Sequence, residues 1–495
     1  MLLLGIDVGT SSIKVSVVES ETQKIVVSAQ YPDTESSITS LKPGWAEQSP
    51  EMWWEHVQQA ILKANASKKY NPKDISAIGI AYQMHGLVVV DKNQQVLRDS
   101  IIWCDSRAVE LGNKAFNQIG AEKSLSHLLN SPGNFTASKL AWVKENEPDT
   151  YKNINKVMLP GDFISMKLTG KITTSNSALS EGIFWDFQNN SISEDILNCF
   201  AFDKALIANV LAVFAEHGAV SNAVAEKLSL RPGIPVSYKS GDQPNNALSL
   251  NVLNPGEVAA TAGTSGVIYG VSDTVTYDKQ SRVNTFAHVN HTGANTRLGV
   301  LLCINGTGIL NSWAKNNLGA GIGYPEMNKK SEAIAVGSDG LRVLPFGNGA
   351  ERMLNNKIIG AHFHNIDFNL HSQSHIFRAV QEGIAFSFRY GLDIMREIGM
   401  NPSVIRAGKT NMFLSNVFTE AFVNATNVPV ELYESDGSVG AALGAGIGSK
   451  IFLSEQEAFK NIRPLELIEP GQAEIYEPIY QDWKETLNNH IKNHN

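Results

Sequence analysis

Two short Gly-Thr-Ser segments are the first residues in this sequence whose types and spacing suggest chemistry. Each stands between two apolar runs, and the turns consist of Gly9, Thr10 and Ser11 in the first copy and of Gly263, Thr264, Ser265 and Gly266 in the second. The backbone N–H groups of such a turn point outward and form a concavity that suits phosphate oxygens. One copy is a common turn, but two copies a domain's length apart indicate a duplicated fold that holds a polyphosphate in the cleft between its halves.

Only the first copy carries an acid, Asp7, which lies two residues before Gly9. A carboxylate there could hold the magnesium ion of a polyphosphate. The alternative, a turn-forming role, is weakened because an unpaired acid so near the core is costly. A second acid, Asp242, follows the small pair Ser240-Gly241 and would project at the start of a helix. The residues alone leave two roles open for Asp242, a catalytic base and a helix cap.

Length and composition restrict the class of protein. The chain has 495 residues, which predicts two or more domains. Its 41 basic and 49 acidic residues give a formal net charge of -8, which disfavours a nucleic-acid partner. The three cysteines, Cys104, Cys199 and Cys303, form no Cys-x-x-Cys pair, which is typical of reduced thiols. Without a basic signal-peptide start or an apolar run of ~18 residues, we expect a cytoplasmic protein with no membrane partner.

Strand and helix patterns alternate along the chain and predict an α/β fold. The pair Ser49-Pro50 is typical of a helix start, and residues 75–91 have the pattern of two buried strands joined at Gln83-Met84-His85-Gly86. Helical spacing of apolar residues predicts helices over 136–147 and 374–399, and the tail ends in a polar helix.

Other motifs that bind phosphate or metal in some proteins are incomplete here. The Gly-Lys-Thr at 408–410 lacks the first glycine of a Walker loop, because Ser403 stands there, and the glycine run 440–448 lacks the third glycine of the dinucleotide fingerprint. Four histidines also occur close together, namely His362, His364, His371 and His375. No suitably spaced carboxylate or second helix-spaced ligand pair accompanies them, so we expect a surface strand and a helix start there rather than a zinc site.

Nine segments that follow one another along the chain resemble those of the FGGY carbohydrate kinases. They are GIDVGTSSIK, GWAEQSPEMWW, QMHG, IIWCDSRA, GNFTASKLAWVKENEP, SGDQPNNAL, TAGTSG, LPFGNGAER and DGSVGAALGAGIG. The resemblance spans nearly the whole chain, and the ordered set is specific although each piece alone is modest. It implies two ribonuclease H-like (actin-like ATPase) domains that flank a deep catalytic cleft.

The resemblance also implies what each part of the chain does. We expect residues 1–239 to bind most of the sugar and carry the first turn, and residues 240–450 to bind ATP. Residues 451–495 are expected to form a tail that packs back on the first domain. Since each domain would supply one turn, we expect the domains to close together around ATP and its magnesium ion. Association into a homodimer is left open.

Individual residues receive roles by matching the family's motifs. Phosphoryl transfer needs positioning, charge neutralisation and a base; Asp242 matches the catalytic aspartate, and Asp7 matches the acid near magnesium and the phosphates. His85 would donate to a sugar hydroxyl while Met84 packs on the sugar's apolar face, with a core histidine as the alternative. Asp105 could instead form a structural ion pair with Arg107. The further candidates are Gln83, Trp103, Asp105 and Gln243 for the sugar, and the two turns with Gly306, Asn411 and Ser415 for ATP.

Two departures from the family pattern bear on the ligands. Gln243 follows the base, as in glycerol kinases, where bacterial xylulose kinases often carry Asn. Glycerol kinases, however, place an Arg-Glu pair where residues 83–85 stand, which favours a ketose. The family's adenine loop normally reads Gly-Gly-Gly-Ala-Lys-Ser, whereas residues 410–415 read TNMFLS and retain only Ser415.

The leading hypothesis is an ATP- and magnesium-dependent kinase of a small-molecule pentulose, D-xylulose above all, that yields the 5-phosphate. The enzymatic alternatives are kinases of another ketose or polyol such as L-ribulose, L-fuculose or glycerol. An alternative from a different class is a non-catalytic actin-like ATPase or sugar sensor. Asp242 together with the QMHG turn favours the enzyme, since a sensor needs no base.

Overall fold

The structure, a computed structural model, describes residues 1–493. The strands are β1 Leu2–Val8, β2 Ile13–Glu19, β3 Ile25–Tyr31, β4 Glu47–Gln48, β5 Ile75–Tyr82, β6 Val88–Val90, β7 Ser100–Ile101, β8 Lys156–Met158, β9 Thr173–Ser175, β10 Trp185–Asp186, β11 Ser191–Ile192, β12 Asn209–Leu211, β13 Val236–Gly241, β14 Glu257–Ala262, β15 Gly266–Ser272, β16 Asn284–Ala287, β17 Leu298–Ile304, β18 Arg342–Phe346, β19 Gly360–His364, β20 Val404–Gly408, β21 Val430–Tyr433 and β22 Glu466–Ile468. The α-helices are α1 Pro50–Ala66, α2 Val109–Ile119, α3 Ala121–Leu128, α4 Thr136–Asn146, α5 Pro148–Lys152, α6 Pro160–Thr169, α7 Asn176–Glu181, α8 Glu194–Phe200, α9 Asn222–Leu228, α10 Asp242–Ser249, α11 Thr307–Leu318, α12 Tyr324–Glu332, α13 Gln373–Glu397, α14 Asn416–Thr426, α15 Gly437–Gly448, α16 Glu455–Ala458 and α17 Ala473–Asn493.

Two large sheets share one topology. The first has the order β13-β5-β1-β2-β3, and the second contains the matching order β21-β20-β14-β15-β17, with β22 and β16 added at its edges. In each sheet the first three strands are antiparallel and the following two are parallel to the first. The fold is therefore duplicated, as the paired Gly-Thr-Ser turns predict, and each turn joins the first two strands of its sheet.

The central strand β1 is covered on both faces, which explains its nearly continuous apolar sequence. Leu4 and Ile6 point towards α1, in one buried cluster with Trp53. Alternation along the strand directs Leu3 to the other face, where the alanines of α15 pack. Gly5 lies on that same face, and a Cβ on it would overlap the carbonyl oxygen of Ser438 in α15. Small residues on both elements thus allow a very close contact.

Two helices cross between the halves. Helix α10 follows the last strand of the first sheet and contacts β14 and β15 of the second, whereas α15 follows β21 and packs on the first sheet. The expected boundary between residues 239 and 240 falls inside β13, so the first sheet extends to Gly241. The expected second domain, 240–450, likewise ends with a helix that covers the first sheet. This exchange places the start of each crossing helix in the cleft.

The tail differs from expectation. Only its beginning reaches the first domain, where Asn461 donates through its backbone N–H to Gln23 Oε1 at 3.2 Å. Helix α17 packs on α13, α14 and β18, and its Tyr476 and Trp483 are fully buried in the core of the second domain. The expectation that residues 451–495 pack back on the first domain is therefore wrong for α17, because its aromatic stripe completes the second core.

Several local expectations are confirmed. Helix α1 begins at Pro50, α4 spans Thr136–Asn146, and α13 occupies Gln373–Glu397 with the expected apolar positions buried. The pattern over 75–91 yields β5 and β6, although β6 pairs with β8 rather than with β5. Among the helices within residues 1–493, none is long and apolar enough to span a bilayer.

Candidate active site

The crossing helices bring three acids together in the cleft. Asp7 lies on the α15 face of β1, and its carboxylate packs against Gly437, because a Cβ on Gly437 would lie only 2.3 Å from Asp7 Oδ2. Asp436 caps α15 by accepting from Ser438 N at 2.9 Å, and it also pairs with Lys14. Asp242 is the first residue of α10. Glycine at 437 thus makes room for Asp7.

The electrostatics of Asp242 suit a proton acceptor. Burial and, to a smaller extent, the charge of Asp7 raise the pKa of Asp242 to about 7, although hydrogen bonds with Gln243 oppose the rise. A carboxylate with a pKa near the working pH is both substantially ionised and basic enough to accept a proton. Gln243, a predicted sugar contact, lines the same cavity as Asp242.

Asp7 also holds its proton more tightly than usual. Burial and, to a smaller extent, the charge of Asp436 raise the pKa of Asp7 to about 6, although the charge of Lys14 opposes the rise. Neighbouring carboxylates form an oxygen donor set of the kind that hard divalent cations prefer. The arrangement can therefore bind a cation next to the candidate base.

Two cavities flank the second Gly-Thr-Ser turn. A cavity of about 480 Å³ is lined by Ala262, Gly263, Thr264, Gly308, Ile309, Asn311, Ser312, Tyr324, Asn328, Thr410, Asn411, Met412, Leu414 and Ser415. A cavity of about 570 Å³ is lined by Met84, His85, Trp103, Cys104, Asp105, Ser106, Asn134, Phe135, Asp242, Gln243, Ser265, Val267, Asn284, Leu301, Cys303, Asn305, Glu351, Arg352 and Asn356. Thr264 faces the first and Ser265 the second, so this turn separates a space of the second domain from a space between the domains.

His85 enters the larger cavity in a fixed, neutral form. Its backbone has a φ of 63°, and its Nδ1 lies 2.9 Å from the carbonyl oxygen of Glu181, to which it donates. Burial, with a further contribution from Lys139, lowers the pKa of His85 to about 3. The expectation that His85 donates to a hydroxyl is therefore wrong, because its only proton is used on Glu181 and the free Nε2 can only accept. Met84 lines the cavity beside it, as expected.

Three ionisable groups around this cavity, the buried Lys139 and Glu181 and the half-buried Arg352, received no role from the sequence. Lys139 donates to the carbonyl oxygens of His85 at 2.9 Å and Ile102 at 3.0 Å, and burial lowers its pKa to about 7. Burial also raises the pKa of Glu181 well above its usual range. Arg352 stacks over Phe135 with 5.3 Å between guanidinium and ring centre. Lys139 and Arg352 belong to the family-like motifs TASKLAW and NGAER, and membership in these motifs is the sequence signal that could have identified them.

The first Gly-Thr-Ser turn is held by side chains rather than opened to a cavity. Thr10 Oγ1 donates to Gln83 Oε1 at 3.1 Å and accepts from Trp103 Nε1 at 3.0 Å. Gln48 Nε2 donates to the Thr10 carbonyl oxygen at 2.8 Å and accepts, through Oε1, from Gln83. Gln83 is buried behind the turn and is absent from the larger cavity's lining, unlike Trp103. The expected sugar contact at Gln83 is thus a positioning contact, and the flanking Gly9 and Ser11 line neither cavity.

Asp105 lies in the wall of the larger cavity, but its carboxylate is fully used. It accepts from the Arg107 guanidinium at 2.7 and 2.9 Å and from Ala46 N at 2.6 Å, and it is fully buried. Arg107 also pairs with Glu47 at 2.6 Å. The ion pair is the structural one that the sequence left open, so the expected sugar contact through the Asp105 carboxylate is not formed.

The residues predicted to bind ATP fall into two groups, those that line the smaller cavity and those that pack beneath the turn. Asn411 and Ser415 line the smaller cavity, and Ser415 Oγ donates to the buried Gln381 at 2.6 Å. Gly306 and Gly266 line neither cavity. A Cβ on Gly306 would overlap the Pro345 carbonyl oxygen, and one on Gly266 would lie 2.5 Å from an oxygen of α11. These two glycines are required by packing beneath the turn, and the sequence did not anticipate Gly308, which does line the cavity.

The family comparison matches nearly the whole chain. Residues 2–249 match the N-terminal domain and residues 258–449 the C-terminal domain of the FGGY family of carbohydrate kinases. The chain belongs to the FGGY family of carbohydrate kinases. It is accordingly a sugar kinase, with ATP as co-substrate and a small-molecule sugar as acceptor.

Individual relatives extend the comparison. The chain is 29% identical to the xylulose kinase of Lactococcus lactis over 98% of this chain and 96% of that protein. A xylulose kinase structure from Rhodospirillum rubrum has a TM-score of 0.89 at 24% identity, covering 99% of this chain and all of that one. A gluconate kinase structure from Lactobacillus acidophilus has a TM-score of 0.90 at 20% identity, covering 100% and 99%. The fold is thus common to kinases of different sugars.

Proposed function

We propose that this protein transfers the γ-phosphoryl group of ATP to D-xylulose and produces D-xylulose 5-phosphate and ADP. The observation that carries the proposal is the position of Asp242, whose carboxylate has a raised pKa. Asp242 lines the larger cavity together with Ser265, which belongs to the turn that also borders the smaller cavity. The choice of ketose rests on the similarity to the Lactococcus lactis protein over almost the whole length of both chains.

In the proposed reaction, the sugar hydroxyl attacks the γ-phosphorus in line with the leaving ADP. The Asp242 carboxylate accepts the hydroxyl proton as the new oxygen–phosphorus bond forms. The bond between phosphorus and the β,γ-bridging oxygen breaks, and its electron pair leaves with ADP. Backbone N–H groups of Thr264 and Ser265 would hold the phosphate oxygens, because they lie in the turn between the two cavities.

The sugar would be bound by complementary apolar and polar groups. His85 accepts from a hydroxyl through Nε2, since Nδ1 is used on Glu181. Met84 packs on the carbon chain, and the amides of Asn134 and Asn284 line the same space. Lys139 fixes the backbone of His85 from behind. These groups recognise hydroxyl positions, which is what discrimination between similar ketoses requires.

A magnesium ion fits the residues of the cleft. Asp7 would hold it, directly or through water, because its buried carboxylate lies near those of Asp436 and Asp242. The ion would supply neutralisation of phosphate charge. Lys14 and Asp436 hold the surroundings of Asp7 in place.

An ADP-release assay with a panel of acceptors tests the proposal. The panel contains D-xylulose, L-ribulose, L-fuculose, glycerol and gluconate at matched concentrations. We expect kcat/KM for D-xylulose to exceed that of each other acceptor by about tenfold or more, because a hydroxyl that loses its partner leaves a buried polar group unpaired. A higher value for glycerol or gluconate would overturn the choice of substrate, and ADP release without any acceptor dependence would overturn the kinase mechanism.

A further inference from the structure

Three histidines that are distant in sequence meet on the second domain. His362 and His364 are two residues apart on β19, so they share one face of the strand, and His490 lies near the end of α17. One ring nitrogen from each lies within 4.8 Å of the others. All three are partly exposed, and none lines either cavity of the cleft. The cluster is therefore separate from the proposed kinase chemistry.

The spacing of the rings is close to that of metal ligands. The ring centres of His362 and His490 are 4.2 Å apart, those of His364 and His490 4.7 Å, and those of His362 and His364 5.9 Å. In a tetrahedral zinc site with Zn–N bonds of about 2.0–2.1 Å, the centres of two histidine rings lie about 5 Å apart. Small rotations of the side chains would complete the geometry.

The hydrogen bonds of the histidine rings also suit a metal ion. His362 Nε2 lies 2.5 Å from the carbonyl oxygen of Ile359, so it donates there and its Nδ1 keeps a lone pair. A backbone carbonyl that fixes the second ring nitrogen is usual for metal-bound histidines. The buried Nε2 of His364 has no hydrogen-bond partner among residues 1–493.

The residues around the cluster determine which metal would fit. Arg342 is the β18 partner of His364, but its guanidinium binds Asp482 at 2.7 Å and the Gly337 carbonyl oxygen at 2.8 Å. The three ligands are all imidazoles, without a carboxylate from the described part of the chain within the cluster. Imidazole nitrogens favour Zn²⁺, Ni²⁺ and Cu²⁺ over Mg²⁺ and Ca²⁺.

We propose that His362, His364 and His490 form a site for a borderline transition-metal ion, Zn²⁺ in particular, with water at a fourth position. The ion would join the β18–β19 hairpin to the last helix and so stabilise the packing of α17 on the second domain. The expectation of no zinc site rested on residues 361–375 alone. The third ligand, His490, lies on α17, 126 residues after His364 in the sequence.

Calorimetric titration of the full-length, untagged protein with Zn²⁺ tests the site directly. We expect about one ion per chain, and the variants His362→Gln, His364→Gln and His490→Gln should each weaken binding about 10–100-fold. His371→Gln is the matched control, because it removes a nearby histidine that belongs to a different contact, with Asp367 and Asp339. Binding of Co²⁺ should give the absorption of a tetrahedral site in the parent and the control only.

Thermal unfolding supplies an independent measurement. Zn²⁺ should raise the Tm of the parent and of His371→Gln more than that of the three site variants, and EDTA should reverse the rise. Equal Tm values of all variants in EDTA would exclude misfolding as the cause of lost binding. The proposal would be overturned if His371→Gln weakened zinc binding as much as the three site variants do. It would also be overturned if His362→Gln and His364→Gln both kept full zinc affinity, because the ion would then be bound by His490 with other groups of the C-terminus.

Discussion

The two halves of this protein repeat a fold but not a chemical function. In the first half, the last strand leads into its crossing helix through Ser240-Gly241-Asp242; in the second, the equivalent residues are Ser435-Asp436-Gly437. The acid and the glycine have exchanged places. Asp242 at the first helical position projects into the cleft, whereas Asp436 turns back to cap its own helix.

The Gly-Thr-Ser turns differ in a complementary way. The first carries Asp7 and is held by side chains, while the second has Thr261 at the position of Asp7. The backbone of the second turn is hydrogen-bonded to the first turn of α11. Gly308 N donates to the carbonyl oxygen of Gly263, and Ile309 N donates to that of Thr264. Duplication therefore supplies two equivalent scaffolds, and the choice of a few residues distinguishes the proposed cation site on one from the proposed phosphate turn on the other.

The largest expected effect distinguishes Asp242 from Asp436. Asp242→Asn should lower kcat about 10²–10⁴-fold, because it removes the proposed base, while ATP and sugar still bind. Asp436→Asn should lower stability through the weakened cap and Lys14 contact, with a far smaller effect on kcat. Steady-state kinetics of both variants measure this, and similar kcat values for the two would remove the distinction.

The pH dependence of activity and of stability tests the role of Asp242 by a second route. With a folded-state pKa of about 7 for Asp242, kcat/KM should rise with pH through about 7 as the carboxylate ionises. Because this pKa is raised above the unfolded value, Asp242 costs stability as pH rises from 4 to about 7. Asp242→Asn should therefore gain Tm relative to the parent over that range and hold the gain above it. An unchanged Tm difference across the range would contradict the raised pKa.

The next effect compares Asp7 with Thr261, its counterpart in the second sheet. Asp7→Ala should raise the magnesium concentration for half-maximal activity about 10–100-fold, as is usual for loss of a carboxylate that acts on a bound cation. Thr261→Ala should leave the magnesium dependence unchanged. Magnesium titrations at saturating ATP and sugar test this, and identical titration curves would make Asp7 a structural residue.

A smaller effect is expected from the helix beneath the second turn. Gly308→Ala places a Cβ onto the carbonyl oxygen of Gly263, so the turn must shift. We expect the KM for ATP to rise about tenfold and the KM for the sugar to change less, because a displaced phosphate contact costs positioning. Gly323→Ala is the control, since its nearest neighbour would be Pro325 Cδ at 3.5 Å. Equal kinetics would show that the turn tolerates displacement.

The smallest effect concerns closure of the two halves. If both turns act on one nucleotide, sugar plus a non-hydrolysable ATP analogue should give a more compact particle in solution scattering than either the ligand-free protein or the nucleotide complex. The Gly308→Ala variant should lose part of this compaction. Identical scattering profiles in every state would mean that the cleft is fixed and that the repeated turn is only a feature of the fold.

The sequence by itself determined the duplicated topology and a part of the lining of the two cavities. The Ser49-Pro50 pair predicted the start of α1, and hydrophobic periodicity predicted α4 and α13, because a buried face imposes a local spacing that is readable without the fold. The repeated Gly-Thr-Ser turns predicted the repeated sheets. Met84, His85, Trp103, Asp242 and Gln243, selected from ordered motifs, lie around one cavity.

Only the tertiary structure decided how those residues are used. Gln83 and Asp105 are polar residues in cleft motifs, yet neighbours up to 73 residues away, Thr10 for Gln83 and Ala46 for Asp105, occupy their hydrogen-bonding groups. The proton on His85 is directed by Glu181, 96 residues further along the chain. Hydrogen bonds, burial and charge act between groups that are close in space, so a local pattern states which chemistry is available and the packing of distant segments selects it.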